Sequence, residues 1–216
     1  MTIFSKKYWT SKSDKDRGGV LPIYTDRGPL ESSYLEAIKK TLDIALEQHP
    51  RTCAMRFDLH YPDRFDVMAI ESNHVSKFQE SLKAIIAADL ERKKKVGRCK
   101  PRFVWVKEQN TSEKPHYHVV MLVNGDVYSQ LGLFTQKQGN MAARIVQAWA
   151  SALGVHPGDV ECGVHFPDNP IYIVDKRKTD SFLSQYKELF YRLSYFAKKD
   201  TKQYGQRMKN FGCSRR

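Results

Sequence analysis

Two histidines spaced two residues apart, His116 and His118, are the first side chains in this sequence whose arrangement suggests a reaction centre. In a β-strand, side chains at positions i and i+2 lie on the same face, so the two imidazoles converge on one point. Glu108 lies near the end of the preceding predicted strand and reaches the same point if the two strands pair as a hairpin. Two imidazoles and one carboxylate suit a divalent ion such as Mn²⁺ or Mg²⁺, with positions left open for a substrate oxygen. The alternative is that the two histidines are ordinary polar residues on a solvated face.

A second group of side chains that could do chemistry lies in the helix predicted from about residue 181 to residue 199. Helical spacing places Tyr195 almost opposite the apolar stripe of that helix, with Lys198 and Lys199 beside it at i+3 and i+4. Two ammonium groups would favour the phenolate form of the tyrosine and would also hold a phosphate. Tyr191, one turn earlier on the same side, is a rival nucleophile. The alternative interpretation is a surface tyrosine on a solvated basic face.

The net charge of the chain points to a polyanionic partner. Lys and Arg number 36 against 24 Asp and Glu, which gives a formal net charge of +12. Such an excess predicts attraction to nucleic acid or to an acidic membrane surface. The basic residues concentrate in two stretches, 91–102 and 198–216, and Tyr204 and Phe211 in the second stretch could stack on unpaired bases. The predicted DNA-binding side chains are Arg92, Lys93, Lys94, Lys95, Arg98, Lys202, Arg207 and Lys209.

Length and composition predict one cytoplasmic domain. The chain has 216 residues, of which we expect 1–28 to be a flexible basic arm and 29–216 to be a single domain with a basic C-terminal tail. No run of about 18 apolar residues is present, which excludes a membrane-spanning helix. The polar first 17 residues argue against a signal peptide. Four cysteines without a CxxC pair fit a reducing compartment better than a disulfide framework.

The elements that must position these side chains follow an α+β pattern. Apolar periodicity predicts strands at residues 53–61, 103–106, 119–123, 160–166 and 171–174. It predicts helices from residue 33 to the turn at Pro50, and over residues 73–93, 140–153 and 181–199. The polar segment 110–115 favours a hairpin between the second and third strands. This order predicts a central antiparallel sheet of about five strands with packed helices, of the ferredoxin-like or split-βαβ type.

Taken together, these motifs resemble those of the HUH endonucleases, in particular rolling-circle replication initiators with a single tyrosine in a YxxK motif. His116 and His118 match the histidine pair, Glu108 matches the third-ligand position, and 195–198 matches YxxK. The sequence is also similar to the prophage and filamentous-phage replication-protein-like family known as the YagK/YfjJ C-terminal domain. That similarity is carried by residues 56–62, 194–198 and 210–215 within roughly residues 50–216.

The resemblance implies the RRM-like core of the HUH endonucleases and a metal-dependent nickase acting on single-stranded or hairpin DNA. A divalent metal held by the histidine pair and Glu108 would polarise the scissile phosphate. Tyr195 would attack it to give a 5′-phosphotyrosine and a free 3′-OH, with Lys198 or Lys199 neutralising the developing charge. Either Asp58 or His60 could replace Glu108 as a ligand. Because imidazoles bind metal only when neutral, activity is expected to fall below about pH 6.5.

The biological role implied by the resemblance is initiation of rolling-circle replication of a phage or mobile element. The metal motif precedes the tyrosine, as in replication initiators and single-tyrosine transposases. The pattern GxxxxGK[ST] is absent from the sequence, so a separate helicase is expected as a partner. Three alternatives stay open. They are a single-tyrosine transposase or other mobile-element nickase, a non-catalytic DNA-binding protein on a decayed HUH scaffold, and an RNA-binding module, which only the basic charge and the aromatic residues favour.

Overall fold

The chain folds around one large antiparallel sheet. The computed structural model describes residues 7–11, 19–26, 28–94, 98–109, 112–199 and 209–214. Two N-terminal strands, β1 (Lys7–Thr10) and β2 (Val20–Ile23), pair with each other in a small sheet. The large sheet contains β3 (Arg51–His60), β4 (Arg102–Glu108), β5 (His116–Asn124), β6 (Val164–His165), β7 (Ile171–Asp175) and β8 (Phe211–Cys213).

The strand order confirms the predicted α+β class. The large sheet runs β6-β3-β5-β4-β8, with β7 also paired to β3, and all of these pairings are antiparallel. Helix α2 (His74–Arg92) connects β3 to β4, and β5 lies between these two strands. Helix α3 (Met141–Leu153) connects β5 to the strands on the far side of β3. This is the ferredoxin-like split-βαβ arrangement. The described sheet has six strands rather than about five because β8 adds to the outer edge of β4.

Helices cover both faces of the sheet, because its central strands bury side chains on both sides. Phe57, Tyr117 and Val119 belong to the apolar cluster under α2 and α3. Alternate positions such as Val120 and Leu122 belong to the cluster under α1 (Ser32–Gln48) and α5 (Thr179–Ser194). Since side chains alternate along a strand, the two histidines of β5 share the face of Val120. They lie where the apolar packing under α1 and α5 comes to an end.

The N-terminal residues depart from the predicted flexible arm where the structure describes them. The ring of Trp9 in β1 stacks on Phe190 of α5, with centroids 5.6 Å apart. Leu21 in β2 is buried in the cluster under α1 and α5. The two strands form there because their apolar side chains pack on the apolar face of the helices. The polar residues that surround them in the sequence gave no sign of this packing. The rest of the predicted arm, at residues 1–6, 12–18 and 27, lies outside the described residues.

The helix that we expected to contain Tyr195 is shorter than predicted and ends before that residue. α5 ends at Ser194, and residues 195–197 form a single 3₁₀ turn. The chain leaves the helix there because it pairs with residues 29–31: the Glu31 amide donates to the Ala197 carbonyl, and the Lys199 amide donates to the Pro29 carbonyl. These bonds draw the segment after α5 back towards the sheet.

The strand predicted at 160–166 is mostly wrong. Residues 157–160 form the short helix α4 (Pro157–Val160), and only β6 of the predicted strand remains. The local chemistry favours the helix, since the His156 and Asp159 side chains make a reciprocal capping box and Pro157 occupies the first turn. No helix in the described part of the chain is long and apolar enough to cross a membrane.

Candidate metal and tyrosine site

The predicted hairpin brings the three candidate metal ligands together. Glu108 lies directly opposite His116 in the β4–β5 register, and His118 follows two residues along β5. One ligand atom from each residue lies within 4.8 Å of the others. Nε2 of His118 is 3.2 Å from Nε2 of His116 and 3.4 Å from Oε2 of Glu108. The chain therefore contains a possible metal-binding triad at the end of β4 and the start of β5.

Asp58 orients His118 from behind. Its Oδ1 lies 2.7 Å from Nδ1 of His118, on the strand that neighbours β5. A carboxylate acceptor favours the neutral imidazole tautomer that carries its proton on Nδ1. The lone pair of Nε2 then faces His116 and Glu108. The sequence left Asp58 and His60 open as ligands. Asp58 contacts Nδ1 of His118, whereas His116 and Glu108 lie on the Nε2 side, so Asp58 is not part of the triad.

The protonation states of Glu108 and His116 suit a divalent cation. Burial alone would raise the pKa of Glu108, but the hydrogen bond and charge of His118 and the charge of Lys198 lower it to about 2. Burial and the neighbouring His118 and His60 lower the pKa of His116 to about 4. Burial would lower the pKa of His118, but hydrogen bonds to Asp58 and Glu108 raise it. At neutral pH the triad therefore offers an ionised carboxylate and a neutral His116.

One carboxylate oxygen of Glu108 has no described partner, and this bears on whether a metal ion fits the triad. Glu108 is 3% exposed, and its Oε1 has no hydrogen-bond partner within the part of the chain that the structure describes. A buried carboxylate oxygen without a partner is costly, because its lost hydration is not replaced. A bound cation would supply the missing partner. Two imidazoles and a carboxylate with an orphaned oxygen fit a divalent ion.

Tyr195 and Lys198 lie against this triad. Nζ of Lys198 donates a hydrogen bond of 2.6 Å to the Tyr195 hydroxyl and lies 3.1 Å from Oε2 of Glu108. The Tyr195 ring meets the ring of His118 edge-on, with centroids 6.0 Å apart. Lys198 is only 3% exposed, which excludes for this residue the alternative interpretation of a solvated basic face. The 3₁₀ turn after α5 accounts for the difference, since it directs Lys198 inward.

The other two candidates from the same helix point elsewhere. Nζ of Lys199 lies 3.3 Å from Oε2 of Glu31 and forms a surface ion pair with it. The ring of Tyr191 meets Tyr24 edge-on at 6.0 Å, one turn before the hydroxyl that touches Lys198. Tyr24 also contacts Tyr195, with centroids 5.7 Å apart. The geometry brings Tyr195 and Lys198 to the triad and turns Lys199 away from it.

Two more histidines border the site. The ring of His60 stacks on His116, with centroids 4.9 Å apart and planes inclined by 8°. Nδ1 of His165 lies 3.6 Å from Oδ2 of Asp58, because β6 pairs with β3 at that residue. The sequence had already identified His60 as a possible ligand on the polar face of its strand. His165 depends on a two-residue strand far along the chain, which no local pattern signals.

The sequence also missed Arg56. This residue is 8% exposed and precedes Asp58 by two positions on the same face of β3. Its guanidinium carbon lies 6.0 Å from the centroid of the Tyr195 ring. Arg56, Asp58 and His60 are spaced two residues apart in β3, and this alternation could have placed Arg56 on the same face as the other two.

The described residues of the basic stretch before β4 lie away from this site. Arg92 and Lys93 pair with buried Asp89, at 2.7 and 3.0 Å. The carbonyl of Arg98 accepts a hydrogen bond from Asn124 at the far end of β5, roughly 26 Å along the strand from His116. Of the other predicted DNA-binding residues, Lys94 and Lys209 are exposed, whereas Lys95, Lys202 and Arg207 lie outside the described residues.

Comparison with known proteins gives a family and two relatives. The family model of the YagK/YfjJ C-terminal domain matches residues 14–214. The uncharacterized protein YagK of Escherichia coli (strain K12) is 38% identical over 192 residues, which covers 84% of this chain and 91% of YagK. The uncharacterized protein YfjJ of the same organism is 32% identical over 197 residues, covering 85% and 94% of the two chains. No solved structure matches the chain.

Proposed function

The chain belongs to the YagK/YfjJ C-terminal domain family, and we propose that it is an HUH-type endonuclease that nicks and rejoins single-stranded DNA. One observation carries the proposal. A single buried ammonium, that of Lys198, touches both the Tyr195 hydroxyl and the Glu108 carboxylate of the triad, at 2.6 and 3.1 Å. A nucleophile, a cation and a set of metal ligands thus meet at one point, as phosphoryl transfer requires.

Tyr195 is the nucleophile in this proposal. Its oxygen loses a proton to solvent and forms a bond to phosphorus, while the bond from phosphorus to the 3′-oxygen breaks. The departing oxygen takes a proton and leaves as a free 3′-hydroxyl. The 5′ end of the nicked strand remains attached to Tyr195 as a phosphodiester. A later 3′-hydroxyl can reverse the step and rejoin the strand, because the phosphotyrosine bond conserves the energy of the broken one.

Lys198 stabilises negative charge on the tyrosine oxygen before attack and on the phosphate as the bond forms. Its fixed position costs no reorganisation, since the ammonium is already buried beside both groups. A divalent ion, Mn²⁺ or Mg²⁺, bound by Glu108, His116 and His118 would supply Lewis-acid stabilisation of the scissile phosphate. Asp58 keeps the His118 imidazole in the orientation and tautomer that ligation needs.

The process that this chemistry serves is initiation of rolling-circle replication of a phage or mobile element in the cytoplasm. The metal ligands precede the tyrosine in the sequence, as in the replication initiators that the motifs resemble. The net charge of +12 suits a nucleic-acid substrate. The proposed role requires a helicase activity to unwind the DNA, and we propose that a separate protein supplies it.

The test is a search for a covalent protein–DNA adduct that survives denaturation. Purified protein is incubated with Mn²⁺ and a labelled pool of single-stranded and hairpin DNA, alongside Tyr195→Phe and Tyr191→Phe. We expect an adduct in the wild type and in Tyr191→Phe, and none in Tyr195→Phe or with EDTA. An adduct lost only in Tyr191→Phe would move the nucleophile. No adduct on any DNA, with salt-sensitive binding retained, would contradict the enzyme and favour a non-catalytic DNA-binding protein.

A further inference from the structure

Two arginines next to Tyr195 have buried guanidinium nitrogens without partners. Arg56 on β3 is 8% exposed, and its Nε has no hydrogen-bond partner among the described residues. Its ion pair with Asp58 is long, at 3.9 Å from NH2 to Oδ1. That carboxylate already bonds His118 at 2.7 Å, so it satisfies Arg56 only in part. A buried guanidinium so poorly compensated is costly to the fold.

Arg192 adds a second charge of the same sign. It lies on α5 one turn before Tyr195, and its Nε is also buried without a partner in the part of the chain that the structure covers. Burial lowers the pKa of Arg56, the charge of Asp58 opposes this in part, and the positive charge of Arg192 lowers the pKa further. Like charges held together in this way destabilise the empty protein and favour a bound anion.

We propose that Arg56 and Arg192 form a phosphate-binding site that holds the DNA backbone beside Tyr195. The inference rests on the proposed function and names the group that its substrate presents there. A guanidinium offers a planar fork of donors that matches two oxygens of a phosphate, which an ammonium does not. A phosphodiester would supply partners for both orphaned nitrogens. The Tyr195 ring is 6.0 Å from the Arg56 guanidinium carbon, so this phosphate lies at or next to the one attacked.

The experiment measures DNA binding without metal, so that nicking does not enter. Fluorescence anisotropy of a labelled oligothymidylate of about 16 nucleotides is recorded over a range of salt concentrations in EDTA. Variants are Arg56→Gln, Arg192→Gln and Arg56→Lys, with Lys83→Gln as the matched control. Lys83 pairs with Glu80 on α2, over the opposite face of the sheet, and its loss changes the net charge equally.

We expect each arginine-to-glutamine variant to lose roughly tenfold in affinity and to flatten the salt slope by about 0.7 per lost contact. Arg56→Lys should keep part of the affinity, and Lys83→Gln should bind like the wild type. The melting temperature of Arg56→Gln should be unchanged or higher, since it removes a buried charge that Asp58 compensates only in part. A lower melting temperature with unchanged DNA affinity would show a structural role and overturn the site.

The test of the phosphate site can fail or succeed independently of the test of the proposed nicking activity. Weaker binding in Arg56→Gln with no covalent adduct in the wild type would uphold the phosphate site and reject the nickase. A normal adduct in the wild type, with DNA binding and salt slope unchanged in both arginine variants, would uphold the nickase and reject the phosphate site.

Discussion

The ammonium of Lys198 donates a 2.6 Å hydrogen bond to the Tyr195 hydroxyl, and both residues come from one short turn after α5. The same ammonium lies 3.1 Å from Glu108 on β4. Lys198 therefore links the tyrosine to the candidate metal ligands across two elements distant in the sequence. Its neighbour Lys199 faces Glu31 instead, which provides an internal control of the same residue type.

Replacing Lys198 by methionine should reduce adduct formation by about 10²–10³-fold, the usual effect of removing a preorganised donor from a transition state. Methionine keeps the length of the side chain but removes the charge that stabilises the tyrosine oxygen and the phosphate. The rate of adduct formation on a saturating DNA substrate measures the effect.

Lys199→Met is the matched comparison and should lose far less, because a surface ion pair is worth about 1 kcal/mol or less. Equal losses in the two variants would mean that general positive charge, and not the contact with Tyr195, supports the reaction.

The grouping of the three candidate metal ligands was predictable because its geometry is local. Strand alternation places His116 and His118 on one face, and a single hairpin sets Glu108 opposite His116. The α+β class was predictable for the same reason. In each main helix and strand, the spacing of the apolar residues in the sequence matches the face that is buried in the fold. The spacing of Tyr195 and Lys198 predicted that the two side chains lie together, although both lie in the turn after α5 and not in the helix.

The inward turn of Lys198 could not be read from the sequence. It depends on backbone bonds between residues 29–31 and 197–199, which helical periodicity over α5 does not reveal. The edge strand β8 escaped notice for a related reason. A three-residue strand has too little alternation to be recognised and forms only because β4 offers it an edge.

The candidate ligands should differ in how strongly they control metal affinity. Glu108→Gln removes the one carboxylate of the triad and should weaken Mn²⁺ binding by more than about 100-fold. Asp58→Asn leaves all three ligands in place but loses the charge that orients His118, and should cost about 10–100-fold. Isothermal titration calorimetry with Mn²⁺ alone measures both.

Glu113→Gln is the control for this series, since Glu113 is an exposed carboxylate in the same hairpin. Its Mn²⁺ affinity should match that of the wild type. An unchanged affinity in Glu108→Gln would mean that the triad is not the metal site. A loss in Asp58→Asn as large as that in Glu108→Gln would make Asp58 a direct ligand.

Asp89 should support stability and not the reaction. Its carboxylate lies 2.7 Å from Arg144 and 3.0 Å from Lys93, and it accepts a 2.8 Å hydrogen bond from Tyr128. Asp89→Asn leaves the buried guanidinium of Arg144 without a charge partner and should lower the free energy of unfolding by about 3 kcal/mol at pH 7. Urea unfolding followed by circular dichroism measures the loss.

The pH dependence of this effect has a definite sign. Burial would raise the pKa of Asp89, but its hydrogen bonds to Lys93, Tyr128 and Arg92 outweigh burial and lower the pKa. A carboxylate with a lowered folded pKa contributes its full stability above the unfolded value, near 3.9, and loses it as the pH falls further. The difference between wild type and Asp89→Asn should therefore shrink below about pH 4. Exposed Asp168→Asn should show little difference at any pH, whereas a gap for Asp89 that widens in acid would contradict the ion-pair account.

Gly212 should tolerate no side chain, because β8 lies directly against an indole ring. A Cβ at this position would lie 2.5–2.6 Å from three ring atoms of Trp105, which pairs with Gly212 across the β4–β8 register. Trp105 is itself packed edge-on against Tyr117, with centroids 5.9 Å apart, so the ring has little room to move. Gly212→Ala should therefore detach β8 or displace Trp105, and lower the free energy of unfolding by about 1–3 kcal/mol.

Gly158→Ala is the control for the effect of replacing a glycine by alanine where no severe clash results. A Cβ there would lie 3.3 Å from Nδ1 of His156, a far milder approach than the one at Gly212, and Gly158 is in helix α4, where alanine is favoured. Its free energy of unfolding should be unchanged or slightly higher. If Gly212→Ala unfolds at the same urea concentration as the wild type, then β8 does not hold the outer edge of β4. Because β4 ends in Glu108, a destabilised Gly212→Ala should also bind Mn²⁺ more weakly, whereas Gly158→Ala should not.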